Sequence, residues 1–193
     1  PVKTERMVSS TNTVLKQYVS EGQKEDMILL AEEQSGGRGR RGRAFFSPEG
    51  SGLYMSLLLH PEMTPEEATM LTTVAAAAVA QAVEQVSGVD VGIKWVNDVW
   101  VRKKKICGIL TEGSVSMEDG HLEYAIVGIG INVYEPVGGF PEEIKEVAGA
   151  VFPNDVSREN LRNRIASGVL AQFLEYYHKL PERVYLEEYR KRS

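Results

Sequence analysis

The sequence predicts an α+β domain built on a mixed, mostly antiparallel sheet with helices packed on one face. Three observations lead there. Apolar, β-branched runs separated by polar turns crowd the middle of the chain, at residues 93–95, 99–101, 106–110 and 122–133, and read as a meander. Helix signals stand nearer the two ends. The 193 residues contain no repeat, no low-complexity segment and no Pro/Ser-rich linker, so residues 1–193 read as one domain.

Taken in order, the first helix is expected over residues 13–20, with Thr11 or Asn12 as its cap. Residues 27–31 form a compact apolar strand. Residues 34–42 hold four glycines in nine positions and must be a loop. Residues 53–60 read as another strand. Thr64, Pro65 and Glu67 then supply an N-cap, a proline at the first helical position and the glutamate of a capping box. The helix they open runs to about Val86 and is rich in alanine, hence slender and suited to close packing on a sheet. Beyond the meander, with its polar turns at 102–104 and 118–120, Ser157 is expected to cap a helix carrying Leu161, Ile165, Val169 and Phe173 at helical spacing. Pro181 starts a last short one.

Composition narrows the function. With 22 basic and 27 acidic residues the formal charge is −5, which argues against general affinity for nucleic acid or anionic lipid. The longest apolar stretch, residues 72–82, carries no charge but is far short of the roughly 20 residues needed to cross a bilayer. No basic, apolar leader precedes the first strand, and the single cysteine, Cys107, suits a reducing cytoplasm. Its neighbours Ile106, Gly108 and Ile109 mark it as a small buried hydrophobe without a catalytic role. The positive charge is unevenly placed. Arg38, Arg40, Arg41 and Arg43 fall within six positions, and residues 102–105 form a second basic run.

Each candidate motif has a functional and a structural reading. Gly36 to Arg43 alternates residues that let backbone approach a ligand with guanidinium forks suited to phosphate or carboxylate. Such a segment also occurs in flexible RNA-binding tails, but this one is short and lies between two strands of an acidic chain. Ser9 to Asn12 matches helix capping. Lys94-Trp95-Val96-Asn97-Asp98 is compatible with a plain turn, and Lys105 with the border of a hairpin. Gly128-Ile129-Gly130-Ile131-Asn132 puts glycines at alternate strand positions, so one face lacks side chains and something must approach it. It is no dinucleotide fingerprint, because no helix follows the glycines.

In this order and spacing the motifs resemble the biotin protein ligases. The match comprises Ser10-Thr11-Asn12, Gln34, the run Gly37 to Arg43, Phe46-Ser47-Pro48, Lys94-Trp95, Asn97-Asp98, Lys105 with Gly108-Ile109-Leu110, and Gly128 to Asn132. Two positions depart from the family's usual pattern: Val96 stands where proline is common, and Phe45 where tryptophan is frequent. The resemblance implies a class II aminoacyl-tRNA synthetase-like catalytic domain that joins biotin to AMP using ATP and transfers the biotinyl group to a lysine of a biotin carboxyl carrier domain. A homodimer is compatible with it. Some family members carry an N-terminal winged-helix DNA-binding domain and a small C-terminal β-barrel. The first is expected to be absent here, with no DNA binding, and the second absent or truncated.

The resemblance also assigns roles. Arg38, Arg40, Lys105 and Asp98 fall at catalytic positions. Ser10, Thr11, Asn12, Gln34, Arg38, Gly39, Arg40, Lys105, Gly108 and Leu110 surround biotin, and Arg38, Arg40, Arg43, Lys94, Asn97 and Asn132 surround the nucleotide. Mg²⁺ is expected on the triphosphate, and no set of protein metal ligands is assigned. The glycine-rich loop is expected to close over the reactive anhydride as a lid, and to be disordered in the empty site. Two alternatives are a lipoate-type acyl-protein ligase, which would not be expected to carry the arginine-glycine run, and an RNA-binding domain.

Overall fold

The computed structural model describes residues 1–153 and 160–193. The elements are β1 (Val2–Val8), α1 (Thr11–Ser20), β2 (Met27–Gln34), β3 (Gly52–Leu59), α2 (Pro65–Ala68), α3 (Met70–Ser87), β4 (Val91–Lys94), β5 (Asp98–Val101), β6 (Lys104–Val115), β7 (Leu122–Asn132), α4 (Leu161–His178) and α5 (Tyr185–Arg192). Among the described residues seven strands form one sheet in the order β1-β2-β3-β7-β6-β5-β4. Only β1 and β2 run parallel. The α+β class and the meander β4 to β7 are as expected. The cap proposed at Ser157 lies outside the described residues.

β3 shows why a continuous apolar run suits the centre of the sheet. All eight of its residues are buried, because β2 and β7 flank it and helices cover both of its faces. Leu53, Met55, Leu57 and Leu59 point to the main core with α3, α4 and α5, whereas Leu58 points the other way and meets Leu15 of α1 with Met27, Leu29 and Ile126. The main helical layer therefore lies on one face as expected, while α1 occupies the opposite face. Its start lies over the strands that carry the glycines.

Alanine sets the spacing of the main layer. Ala75 to Ala78, Ala80 and Ala82 are fully buried, and a Cβ added at Gly168 of α4 would lie 3.1 Å from the Cβ of Ala82. Larger side chains there would push α3 off the sheet or α4 off α3, at about 1–3 kcal/mol each. The capping box forms as expected: Thr64 Oγ1 accepts from the Glu67 amide at 3.3 Å and Glu67 Oε2 from the Thr64 amide at 2.9 Å. The helix it opens is split at Thr69 into α2 and α3.

Two members of the second basic run, Arg102 and Lys104, hold protein with their side chains. Arg102 and Lys103 occupy the tight β5–β6 turn with φ of 50° and 63°. The Arg102 guanidinium donates to the Val151 carbonyl at 3.2 Å, and the Lys104 ammonium to the carbonyls of Lys145 and Glu146 at 3.1 and 2.6 Å. Residues 145–151 are thereby strapped beside β6, where the Lys105 amide also donates to the Val147 carbonyl at 2.8 Å. Cys107 is fully buried, and burial pushes its thiol well above the usual range. Among the described residues no helix is long and apolar enough to cross a membrane.

Candidate active site

The site grows from the start of α1. Ser10 is the N-cap, one residue or more ahead of the expected position, and its side chain makes no bond to its own helix. Thr11 and Asn12 are already helical and buried, which releases their side chains for contacts across the sheet. The amide and hydroxyl of Thr11 donate to Gln34 Oε1 at 2.9 and 3.1 Å. The Gln34 amide group donates to Ser47 Oγ at 2.9 Å, and Ser47 donates to the Phe45 carbonyl at the same distance. Ser56 Oγ lies within 2.7 Å of Thr11 Oγ1 and 2.6 Å of Asn12 Oδ1. Asn12 donates to the Leu110 carbonyl at 3.2 Å and to Glu112 Oε2 at 2.9 Å. The result is a wall of neutral donors and acceptors held in fixed orientation.

The floor is a strip poor in side chains, with glycine at three of its four paired positions. Gly108 pairs with Gly130 and Leu110 with Gly128 across β6 and β7. What approaches the bare face is now visible. A Cβ added at Gly128 would lie 2.3 Å from Asn12 Oδ1, and one at Gly130 2.5 Å from the ring of Phe45. One at Gly108 would lie 3.3 Å from that ring and 3.5 Å from Lys105 Cε. With the Phe45 ring lying on the strip, the cavity among Ser10, Asn12, Gln34, Arg38 and Gly130 keeps about 20 Å³, room for about one water. The trough is filled by the protein's own ring.

Cations line its mouth. The loop Gly36 to Arg43 adopts one defined turn, closed by the Gly39 amide donating to the Arg43 carbonyl at 2.7 Å, with Arg41 at φ 57°. From it Arg38 reaches Glu112 with Nη2 to Oε1 at 3.1 Å and Nη1 to Oε2 at 3.3 Å. Lys16 Nζ meets Glu112 Oε1 at 2.6 Å. Burial pushes the Glu112 carboxyl up, but hydrogen bonds from Lys16 and Asn12 and the charges of Lys16 and Arg38 outweigh it. The group is held below the usual carboxylate range. Arg40 Nη1 donates to Asn97 Oδ1 at 3.1 Å, and Asn97 Nδ2 donates to the Ile109 carbonyl at the same distance. Lys105 Nζ pairs with Asp98 Oδ1 at 2.7 Å. Among the described residues no group of three or more His, Cys, Asp or Glu is arranged to hold a metal ion.

The structure thus brings Ser10, Thr11, Asn12, Gln34, Arg38, Gly108 and Leu110 to one trough, with Arg40, Asn97, Asp98 and Lys105 close to its Gly108 end. Asn132 ends β7 and donates to the Gly149 carbonyl at 3.1 Å, beside the strap over Lys105. Two expected nucleotide contacts are not joined to this cluster. Arg43 is exposed, and the Lys94 ammonium lies over the Trp100 ring, 5.1 Å from its centroid. Ser56, Phe45, Glu112 and Lys16 were given no site role from the sequence. Ser56 had a signal, as the hydroxyl inside an apolar strand. So had Glu112, which follows Gly108 and Leu110 at period two on β6.

The chain is similar to several known proteins. The profile described as the biotin/lipoate A/B protein ligase family matches residues 4–132. The bifunctional ligase/repressor BirA of Bacillus subtilis is 38% identical over 142 residues, covering 74% of this chain and 43% of the relative. The biotin–[acetyl-CoA-carboxylase] ligase of Mycobacterium tuberculosis is 31% identical over 193 residues, covering 95% of this chain and 67% of the relative. Among solved structures, a biotin protein ligase from Aquifex aeolicus in complex with biotin and ATP superposes with a TM-score of 0.71 at 32% identity, over 92% of this chain and 72% of that one. The chain spans less than half the length of the Bacillus relative. With two thirds of its residues under the profile and the trough built from the matched segment, the chain belongs to the biotin/lipoate A/B protein ligase family.

Proposed function

We propose that this chain is a biotin–protein ligase that makes biotinyl-5′-AMP from biotin and ATP and passes the biotinyl group to a lysine of a biotin carboxyl carrier domain. One observation carries the reading: a wall of neutral hydrogen-bonding groups lies along a glycine-rich strip, with Arg38 reaching over the trough to Glu112 and with Arg40 and Lys105 at its Gly108 end. Biotin has that division of chemistry. Its ureido ring offers two N–H donors and a carbonyl, which suit Ser10, Thr11, Asn12 and Gln34, and its fused rings need a bare apolar floor once Phe45 swings out. Its valeryl chain ends in a carboxylate that must meet a triphosphate.

In the first step a carboxylate oxygen attacks the α-phosphorus, the bond to the bridging oxygen breaks, and pyrophosphate leaves. Two anions are brought together, so fixed cations contribute most. Arg38 and Lys105 serve the carboxylate and the charge developing beside it. Arg40, oriented by Asn97, serves the phosphate oxygens. Mg²⁺ would ride on the triphosphate, which agrees with a site whose carboxylates, Asp98 and Glu112, are both paired with cations. In the second step the acceptor amine attacks the acyl carbon and AMP leaves. Asp98, released from Lys105, is the group assigned to take the amine's proton. Transfer from preformed adenylate that is unchanged in Asp98→Asn at every pH would remove that assignment.

A cytoplasmic location goes with an ATP-dependent reaction of this kind. Self-association belongs to the same reading, with the edge of β6 beyond Gly108, where no named strand pairs on the β5 side, as its place. Sedimentation velocity with and without ligands tests it. The activity itself is tested by incubating the protein with ATP, Mg²⁺ and biotin, with and without a carrier domain, and following adenylate and conjugate by mass. Lipoate in place of biotin is the control. Conjugation of lipoate in preference to biotin, or of neither, would overturn the reading.

A further inference from the structure

Glu112 sits where a ligase for a carboxylic acid has no evident need of a carboxylate. It projects from β6 into the wall of the trough, and its side chain is only 18% exposed. Both oxygens are used. Oε1 meets Lys16 at 2.6 Å and Arg38 at 3.1 Å, and Oε2 accepts from Asn12 at 2.9 Å and from Arg38 at 3.3 Å. These contacts join α1, the glycine-rich loop and β6 through one group. The arginine it holds is one the proposed function assigns to the substrate's own anion.

A planar guanidinium that faces one carboxylate with two of its nitrogens has little left for a second in the same plane. We propose that Glu112 is a positioning residue that occupies Arg38 in the empty site and yields it to the substrate carboxylate. Binding is then an exchange of one carboxylate for another. This rests on the ligase reading. Glu112 is not stranded by the exchange, because Lys16 and Asn12, both on α1, still hold it. Lys16 therefore sets how readily Arg38 is given up. Each contact to Lys16 weakens the hold on the arginine, since a carboxylate shared between two cations attracts each less. The device also keeps the loop seated when no substrate is present, and it costs affinity for an anionic ligand while leaving a neutral one alone.

The experiment is calorimetric titration with biotin and with biotinol, the alcohol that lacks the carboxylate. Glu112→Gln keeps the shape and an acceptor for Asn12. It should bind biotin about two- to fivefold more tightly than wild type, the range of a partly exposed ion pair, with biotinol unchanged. Lys16→Met removes the cation that shares Glu112 with Arg38 and should act in the opposite direction, weakening biotin by a similar factor and sparing biotinol. A merely structural role predicts that both ligands weaken together in either variant. That result, or biotin affinity that falls in Glu112→Gln or fails to fall in Lys16→Met, would overturn the proposal. Wild-type protein that binds neither ligand would instead fail the ligase reading, and this inference with it.

Discussion

Lys105 and Asp98 face each other from neighbouring strands at 2.7 Å, and the Lys105 side chain leans over Gly108 next to the Phe45 ring. The ammonium is thus held at the trough before substrate arrives. Lys105→Ala is expected to lower adenylate formation by about two orders of magnitude or more with the fold retained, because loss of one preorganised charge at a reacting oxyanion costs about 2.7–4 kcal/mol. Release of pyrophosphate, with circular dichroism as the check on folding, measures it. Glu112 adds a pH dependence. Its pKa is lowered on folding, so its contribution to stability is full above the ordinary glutamate value of about 4.3 and is lost as pH falls through the lower folded value. Urea titrations should find wild type more stable than Glu112→Gln at pH 7, with the gap closing below about pH 4. A gap that stays constant would contradict the ion pairs. Ser10, Thr11, Asn12, Gln34, Arg38 and Lys105 were legible because their residue types and spacing carry the family's motif. Phe45 was not legible as a site residue, and the period-two spacing of Glu112 after Gly108 and Leu110 gave its face of β6 but not its partners. The roles of both come from meetings such as Glu112 with Asn12, 100 positions apart, which no local pattern encodes.

At the scale of elements, the loop from Gly36 to Arg43 holds together through a few contacts that are all partly exposed: Arg38 with Glu112, Arg40 with Asn97, and the turn closed at Arg43. Local opening of such a segment is inexpensive compared with opening the sheet. Trypsin should therefore cut the empty protein first within Gly36 to Arg43, and biotin with ATP should slow those cuts at least tenfold if the loop closes on the adenylate. Cutting at an unchanged rate would remove the lid. The strands β3 and β7, the first half of β6 and the helix α3 could be read from their apolar patterning because they are largely buried. β1 could not, since its seven residues include Lys3, Glu5 and Arg6 and lie at an exposed edge. Its pairing with β2 is parallel and leaves no hairpin turn in the sequence to announce it. The position of α1 on the far face was hidden for a related reason. Its apolar content is low, and Leu15 is the large side chain it buries completely.

Taken as a whole, the molecule places its site on the α1 face of the sheet and its main core on the other, with the glycine strip between them one strand thick. A ligand that spans the trough and its cationic mouth therefore engages α1, the loop, β6 and β7 together. Biotin with ATP should raise the melting temperature far more than either alone: at about a thousand times Kd the native state gains about 4 kcal/mol, a rise on the order of 10 °C for a domain of this size. Equal shifts for biotin, ATP and the pair, in differential scanning fluorimetry, would argue against one continuous site. The distant end of the chain is tied in as well, since Arg192 of α5 meets Glu84 of α3 at 2.5 Å and also pairs with Glu188. The burial of Cys107 on β6, directly behind the strip, has a practical consequence. Its thiol is fully enclosed and burial disfavours the thiolate, so iodoacetamide can reach it only when the sheet itself parts. Its labelling rate, followed by mass, is then a clock for opening of the layer that carries the candidate site. Biotin with ATP should slow that rate by the same factor as it reduces the opened population. Labelling that proceeds at the rate of a free thiol in the native protein would show that this layer breathes on its own.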